Sequence, residues 1–330
     1  MGKYHLVDFA AHYQKGFRNH IVAISDVPGL IESFNAYGCY CTYFFFADEL
    51  LTYMSAQQEV STPSISGYSG KVWAPFLPLD LDHPELTPAL EAAKRLSAFL
   101  LERWGVDPSG LQVYFSGAKG FHLMIDTRSF GRVAPSTSLP VIFDSLRRHL
   151  AQELPEALRD TVDLAIKDRV RLLRLPNTIH EKSKLYKVVL SAEELESLSV
   201  SGVRQIARTT RPLTLTDPTG FLSRAEVKAN AAAVELFRRI SRQSAKLTRK
   251  SFTYRFRRPV DVAHAEFRCA GGQAIWRSHV EPGCRNNCAI RLASEFRLMG
   301  LTNDETVEKL LEWNQRNDIG LPAEELRNVA

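Results

Sequence analysis

The chain has 330 residues, of which 45% are hydrophobic and 24% are charged, and its formal net charge at pH 7 is +5. This length and composition exclude a disordered chain, and five cysteines, an odd number, exclude the disulfide framework of a small secreted domain. No apolar segment follows Met1–His5 as in a signal peptide, and no run approaches the roughly 18 apolar residues of a membrane span. We therefore expect a soluble, cytoplasmic protein without a membrane partner.

Strand and helix signals are mixed in the first part of the chain. The aromatic segment 37–54 predicts a buried strand that leads into a short helix, and the stretch 56–70, rich in Ser, Gly and Pro, predicts a surface loop. Apolar residues recur at helical spacing over 86–104, with Gly105 at the expected stop, and a second helical stretch covers 135–158. These signals, which show no internal repeat, predict an α/β or α+β fold.

Two carboxylates lie two positions apart in the apolar run 77–82. In a strand, Asp80 and Asp82 share one face while Leu79 and Leu81 occupy the other. Neighbouring carboxylates repel each other, and divalent cations relieve this repulsion. The run therefore predicts a site for two divalent cations roughly 3.5 to 4 Å apart, with a solvated Asp-rich turn as the alternative.

A glycine-rich turn from Ser116 to His122 follows the strand-like residues 113–115. Ser116 offers a hydroxyl, Lys119 an ammonium and His122 an imidazole, and the glycines leave backbone N–H groups exposed. Triphosphate oxygens need such donors, so we expect this turn to bind a phosphate chain. The alternatives are an ordinary turn between strands and, for His122 between two apolar neighbours, a satisfied core histidine.

A third segment carries Asp163 and precedes a basic stretch, because residues 164–187 hold seven basic side chains and two acidic ones. In a strand Arg169 and Arg171 share a face, whereas in a helix Arg171 and Arg174 do, and the sequence leaves open which pair enters a cleft. An ordinary helix cap followed by a solvated surface is the alternative. The order of acid pair, phosphate turn, third acid and arginines predicts metal-dependent nucleotidyl transfer.

These segments resemble the three signature motifs of the archaeo-eukaryotic primase superfamily: a D-x-D/E strand, a Ser-Gly-x-x-Gly-x-His segment, and a hydrophobic-Asp segment followed by R-x-x-R-L. They are most similar to the primase-polymerase branch, as found in mobile elements, and Lys119 is similar to a lysine of the bacterial end-joining polymerases. The resemblance covers about residues 35–190. It implies a bilobal α/β catalytic core with a modified RNA-recognition-like sheet.

By this resemblance, three carboxylates would bind Mg²⁺ or Mn²⁺, and five side chains would bind the incoming nucleotide. The metal ligands would be Asp80, Asp82 and Asp163. The nucleotide ligands would be Ser116, Lys119, His122, Arg171 and Arg174. The chain departs from many relatives in one respect, since no Cys/His cluster for a zinc-binding insertion lies between residues 42 and 268.

The sequence pattern changes around residues 191–222, where signals for short polar helices and turns replace strand signals. We therefore place a domain boundary near residue 220, with a catalytic domain over 1–220 and a small helical module over 221–330. Helical patterns in the second part cover 223–246, 284–300 and 302–317, and a further helix starts at Pro322. No cap or breaker ends this last helix before Ala330, which leaves open a continuation of the natural chain.

A basic cluster opens the second part. Residues 238–258 contain nine basic side chains and no acidic one, and three aromatic residues lie among them. Basic groups neutralise phosphates and aromatic rings stack on unpaired bases, so the cluster predicts binding of a single-stranded template or an initiating nucleotide. A solvated linker with its aromatics in the core is the alternative. The candidate contacts are Arg249, Lys250, Tyr254 and Arg255.

Four residues near the C-terminus are of the types that ligate zinc or an iron-sulfur cluster, but their spacing lacks the usual C-x-x-C knuckle, so a site without metal is the alternative. They are Cys269, His279, Cys284 and Cys288. The stretch 283–287 resembles the helical C-terminal module of mobile-element primases, which serves priming. Arg285 and Asn286 are therefore candidate contacts to a nucleotide or template, with helix capping as their other role.

Taken together, the motifs and the resemblance predict a DNA-dependent primase-polymerase. It would join nucleoside triphosphates, ribo- or deoxyribonucleotides, on a single-stranded DNA template, with a replicative helicase as a candidate partner. One alternative is an end-joining or gap-filling polymerase without priming activity. The other is a noncatalytic replication-initiation or plasmid-maintenance protein that binds DNA.

Overall fold

The computed structural model describes residues 3–11, 17–57, 63–164, 166, 168–254, 267, 270–280, 285–317 and 320–329, and for residues 17, 245–254 and 270 it describes the backbone alone. Contacts divide the chain into two compact units, Met1–Phe252 and Thr253–Ala330. Among the helices in these ranges, none is both long enough and apolar enough to cross a membrane.

The first unit holds two antiparallel sheets of four strands each. The first sheet has the order β2-β1-β3-β7 and the second the order β4-β6-β5-β8. The strands of the first sheet are β1 (Leu6–Ala11), β2 (Phe17–Ala23), β3 (Cys39–Thr42) and β7 (Leu172–Arg174). Those of the second are β4 (Phe76–Asp82), β5 (Leu111–Phe115), β6 (Gly120–Asp126) and β8 (Val188–Leu190).

Among the described residues, eight α-helices belong wholly or mainly to the first unit. They are α1 (Val27–Ser33), α2 (Glu49–Ser55), α3 (Leu86–Glu102), α4 (Leu139–Glu153), α5 (Glu156–Arg159), α6 (Ala192–Ser197), α7 (Val200–Ile206) and α8 (Ala231–Tyr254). Together with the two sheets they confirm the predicted mixed α/β class.

The helix predicted over 86–104 is α3, which buries its apolar side against β4 and β6. Gly105 follows with φ +60°, a conformation that glycine adopts without a steric penalty. The stretch predicted as helical over 135–158 forms α4 and the short α5. The aromatic segment forms β3 and α2, and its residues Tyr43 to Phe46 are fully buried in the core of the first unit.

The described part of the second unit consists of helices and connecting turns. These helices are α9 (Ala270–Arg277), α10 (Arg285–Leu298), α11 (Asn303–Asn314) and α12 (Ala323–Val329). Trp276, Phe296 and Trp313 form the centre of their small core. Thr302 and Glu305 form a reciprocal capping box that fixes the start of α11. The expected helical character of the C-terminal part is therefore confirmed.

The division between the units lies later in the chain than the predicted boundary near residue 220. The reason is that α8 packs against the rest of the first unit. Phe237 of α8 stacks on Phe130 with ring centres 5.5 Å apart. The hydroxyls of Ser244 and Ser145 lie 3.4 Å apart. The functional division into a catalytic domain and a priming module remains a prediction.

Candidate active site

Strand β4 presents the two predicted carboxylates on one side. Leu79 and Leu81 are fully buried, whereas Asp80 and Asp82 are half-buried, as the alternation of a strand requires. Asp80 pairs with His122 and Asp82 with Gly120 across the antiparallel ladder to β6. The ladder therefore brings the acid pair of the first motif beside the end of the second motif.

The segment around Asp163 runs along the other edge of β4. The backbone N–H of Asp82 donates to the carbonyl of Thr161 at 2.7 Å, and the N–H of Asp163 donates to the carbonyl of Asp80 at 2.8 Å. Between them, Leu81 and Val162 form an antiparallel bridge. These bonds place the third carboxylate next to the other two, as the family resemblance implies.

The predicted phosphate turn joins β5 to β6 and depends on two glycines. Gly117 has φ +81°, and a Cβ there would lie 2.9 Å from the carbonyl oxygen of Leu185. A Cβ at Gly120 would lie 2.2 Å from the carbonyl oxygen of Leu81. Ser116 is buried, and its hydroxyl oxygen accepts the N–H of Gly120 at 3.2 Å, so it holds the turn closed.

Lys119 leaves this turn toward the acid pair. Its ammonium lies 3.1 Å from Asp82 Oδ2, and 60% of the lysine side chain is exposed. Such an exposed pair contributes little stability, because solvent screens it. The ammonium is thus held beside a carboxylate while remaining accessible to a ligand.

His122 and Asp80 face each other with Nε2 3.5 Å from Oδ1. Burial, with the charges of Lys187 and Arg174, holds the pKa of His122 well below its usual range. Burial, with the charges of Asp82 and Asp163, raises the pKa of Asp80 to about 7. Each group therefore lies in surroundings that oppose its own charge.

The arginines separate into those at the site and one away from it. Arg171 donates to Asp163 Oδ2 at 2.9 Å, and Arg174 lies over the ring of Tyr40, 5.3 Å from its centre. Arg169 donates instead to the carbonyl of Thr137. The structure thus places Arg171 beside the third carboxylate and Arg169 away from it, on a backbone that is a turn followed by β7 rather than a helix. Nucleotide binding by Arg171 and Arg174 remains a prediction.

Sequence reasoning missed Lys187. The charge count included this lysine, but no role was assigned to it. Lys187 is buried, donates to the carbonyl of Arg174 at 2.7 Å and lies 4.8 Å from the centre of the Tyr114 ring. Burial and the charge of Arg174 lower its pKa to about 7, against the opposing effect of Asp80. The sequence signal that could have identified Lys187 was its position directly before the apolar run of β8.

Sequence reasoning also missed His180, which lies in the turn between the bridged residues Ile179 and Tyr186. Its Nδ1 faces the backbone N–H groups of Lys182 and Ser183 at 3.2 Å each, so its Nε2 carries the proton when the ring is neutral. Burial and the charges of Arg174 and Lys182 lower its pKa to about 4. No local pattern distinguishes this histidine from one in an ordinary turn.

Several polar atoms at the site are buried and lack a hydrogen-bond partner among the described residues. They are Asp80 Oδ1, His122 Nδ1, and Nε and Nη1 of Arg174. Buried polar groups are normally paired, so unpaired ones of both polarities in one place need an explanation. A ligand that offers both a cation and anionic oxygens would pair them.

The three aspartates fit a divalent cation in the type of donor that they provide, because Mg²⁺ and Mn²⁺ prefer carboxylate oxygens. Asp80 Oδ1 accepts no hydrogen bond from the described residues, although His122 Nε2 lies 3.5 Å from it. The carboxylates of Asp82 and Asp163 instead lie against the cationic side chains of Lys119 and Arg171. Accordingly, the described ranges contain no group of three His, Cys, Asp or Glu side chains arranged around one metal position.

The C-terminal candidates are described only in part. Arg249, Lys250 and Tyr254 lie in α8 where the backbone alone is described, and Arg255, Cys269 and Cys284 lie outside the described residues. His279 and Cys288 are described. Arg285 begins α10, and its Nε and Nη1 are buried without a partner in the described part of the chain. The roles expected for these residues stay predictions.

No family model matches the chain, and no curated protein matches it. Two similar solved structures are the polymerase domain of Ligase D from Mycobacterium tuberculosis in complex with DNA and the primase RepB'. The first is 16% identical over 75% of each chain, with a TM-score of 0.35. The second is 13% identical over 94% of this chain and 81% of the other, with a TM-score of 0.37. Likeness at this level leaves the function to be argued from the site itself.

Proposed function

We propose that the chain is a DNA-dependent primase-polymerase, which starts and extends chains on single-stranded DNA from nucleoside triphosphates. The observation that carries the proposal is a group of buried polar atoms without a hydrogen-bond partner among the described residues: Oδ1 of Asp80, Nδ1 of His122, and Nε and Nη1 of Arg174. A nucleoside triphosphate with its divalent cation has the charges that both the oxygen and the nitrogens need. A site for a purely anionic ligand has no use for three neighbouring aspartates.

In the proposed reaction, a 3′-oxygen forms a bond to the α-phosphorus of the incoming nucleotide. The bond from that phosphorus to the bridging oxygen breaks, pyrophosphate leaves, and the hydroxyl proton passes to water. Asp80, Asp82 and Asp163 would hold two divalent ions, which when bound lower the pKa of the hydroxyl and neutralise charge on the phosphates.

The basic groups of the site would hold the triphosphate. Arg174 would use the two nitrogens that no protein group occupies, and Arg171 and Lys119 would contribute from the rim of the site. His122 would donate as a neutral imidazole, because its pKa is far below neutrality. Ser116 would act through the turn that it closes, and its hydroxyl hydrogen is available to a phosphate oxygen.

The test is synthesis by the full chain with labelled nucleotides and Mn²⁺, on an unprimed single strand and on a primed template. We expect a dinucleotide and longer products from the first and extension from the second. Asp82→Asn should lower both rates on the order of 100-fold or more, whereas Asp26→Asn, at an exposed position, is the matched control. Wild-type rates from the Asp82 variant in Mg²⁺ would overturn the metal assignment.

The rival functions give different products in the same experiment. A gap-filling or end-joining polymerase would extend a preformed primer but would make no dinucleotide on the unprimed strand. A noncatalytic DNA-binding protein would give neither product. The unpaired Asp80 oxygen speaks against the second rival, because binding DNA alone does not require a buried carboxylate at a phosphate site.

A further inference from the structure

The described part of helix α8 has one buried and one basic side. Ala233, Leu236, Ile240 and Ser244 are buried, and their spacing of three or four residues places them on one side of the helix. Three arginines, at positions 238, 239 and 242, are exposed and lie on the opposite side. The helix is thus amphipathic, and its polar side carries these three arginines and one exposed carboxylate, Glu235.

Helix α8 is fixed to the unit that carries the candidate active site. Strand β6, which bears His122, runs directly into the turn that ends at Phe130. Phe130 stacks on Phe237 of α8 with an interplanar angle of 22°. The backbone N–H of Asn230 also donates to the carbonyl of Ser129 at 3.3 Å. The basic side of α8 therefore belongs to the unit that carries the candidate active site.

The three arginines are not neutralised within the described residues, since no carboxylate there lies at ion-pair distance from them. Other exposed arginines of the first unit do have such partners, for example Arg95 with Glu91 and Arg148 with Asp144. Arginines three or four residues apart on a helix repel each other. The sequence continues the same spacing with three further basic residues, Lys246, Arg249 and Lys250.

We infer that this side of α8 binds the sugar-phosphate backbone of single-stranded DNA for the catalytic unit itself. The inference rests on the proposed function for the identity of the polyanion. Rows of guanidinium groups bind phosphates and release counterions, and this binding does not depend on base sequence. Because the surface belongs to the first unit, it holds the template during extension as well as during initiation. The basic cluster is therefore not confined to a priming module.

The inference is tested on the full chain by replacing Arg238, Arg239 and Arg242 together with glutamine. The control replaces Arg103, Arg204 and Arg208 with glutamine, which removes the same charge from exposed positions elsewhere on the same unit. Binding of a fluorescent oligothymidylate is followed by anisotropy between 50 and 200 mM NaCl, in EDTA and without nucleotide. Melting curves verify that both proteins fold.

Each phosphate contact on a single strand contributes about −0.7 to the slope of log affinity against log salt, so three contacts contribute about −2. Over this fourfold change in salt, the wild type should lose about 20-fold more affinity than the α8 variant. The control should keep the wild-type slope. In active protein, the α8 variant should also raise the KM for primed template in extension.

An unchanged slope in the α8 variant, or an equal change in the control, would overturn the inference. So would a variant that initiates poorly but extends a primer with the wild-type KM. Failure of the proposed function can be told apart from failure of this inference. The anisotropy experiment contains neither metal nor nucleotide, so it measures DNA binding without any polymerase activity. A wild type without polymerase activity but with the predicted difference in slope would leave the DNA-binding surface in place.

Discussion

Replacing Arg147 by methionine should lower the free energy of unfolding by about 3 kcal/mol. Arg147 lies in α4 and is fully buried. Its guanidinium donates to the carbonyls of Pro78 at 2.8 Å and Ile166 at 2.7 Å, and to the hydroxyl of Tyr43 at 3.1 Å. Pro78 lies two residues before Asp80, so the arginine connects the strand of the acid pair to the segment that follows the third acid.

The magnitude follows from the groups that lose their partner. Methionine keeps most of the length and apolar volume of the side chain but donates no hydrogen bond. Each buried acceptor left unpaired costs roughly 1–3 kcal/mol, which gives about 3–9 kcal/mol for three. The loss of the guanidinium also removes its own desolvation penalty, which offsets part of this cost. A net change of about 3 kcal/mol lowers the melting temperature by about 6–12 °C in a unit of this size.

The measurement is urea unfolding followed by circular dichroism, with Arg148→Met as the matched control. Arg148 is the next residue, is exposed, and forms an i,i+4 pair with Asp144 at 3.0 Å, so its replacement should cost about 0.5 kcal/mol or less. Extension by the Arg147 variant should also fall at temperatures where it is still folded. Equal unfolding midpoints for the two variants would refute the reasoning.

Three further outcomes are expected. His122→Ala should weaken nucleotide binding about 10-fold and leave template binding unchanged; unchanged nucleotide affinity with a lower melting temperature would instead support a core histidine. Lys187 loses its proton near pH 7 when folded but near 10.5 when unfolded, so between these values the unfolded chain binds more protons and the stability without nucleotide should rise with pH. Thermal unfolding from pH 7 to 9 should show that rise in the wild type and not in Lys187→Met. A chain ending at residue 252 should extend a primer but initiate poorly. A chain ending near 220 should melt at a lower temperature than the chain ending at 252, because Phe130 loses its partner on α8.

Local patterns predicted the elements that carry the acids. The alternation around Asp80 and Asp82 is a property of the strand itself, so it could be seen before the fold was known. The helical spacing over 86–104 likewise contains its own signal. The position of Asp163 beside β4 depends on a bridge between distant segments, and the family resemblance rather than any local pattern supplied it.

Features that depend on tertiary packing were not visible in the sequence. Lys187 and His180 are separated by seven positions, and burial within the fold brings both under the influence of Arg174. The boundary near 220 followed a real change in composition, but the contact of Phe237 with Phe130 extends the first unit beyond it. Burial and contacts between distant residues cannot be predicted from the periodicity of a local sequence pattern.

The pKa values of Asp80 and Lys187 differ from those expected in a structural ion pair. In a structural pair each partner stabilises the charge of the other, which lowers the pKa of the acid and raises that of the base. Here the opposite holds, because the pKa of Asp80 is raised and that of Lys187 is lowered, each to about 7. Burial outweighs their mutual attraction, so the folded protein alone favours the charge of neither. A bound cation would restore the charge of the aspartate and a bound phosphate that of the lysine, and a nucleotide with its divalent ion would bring both together.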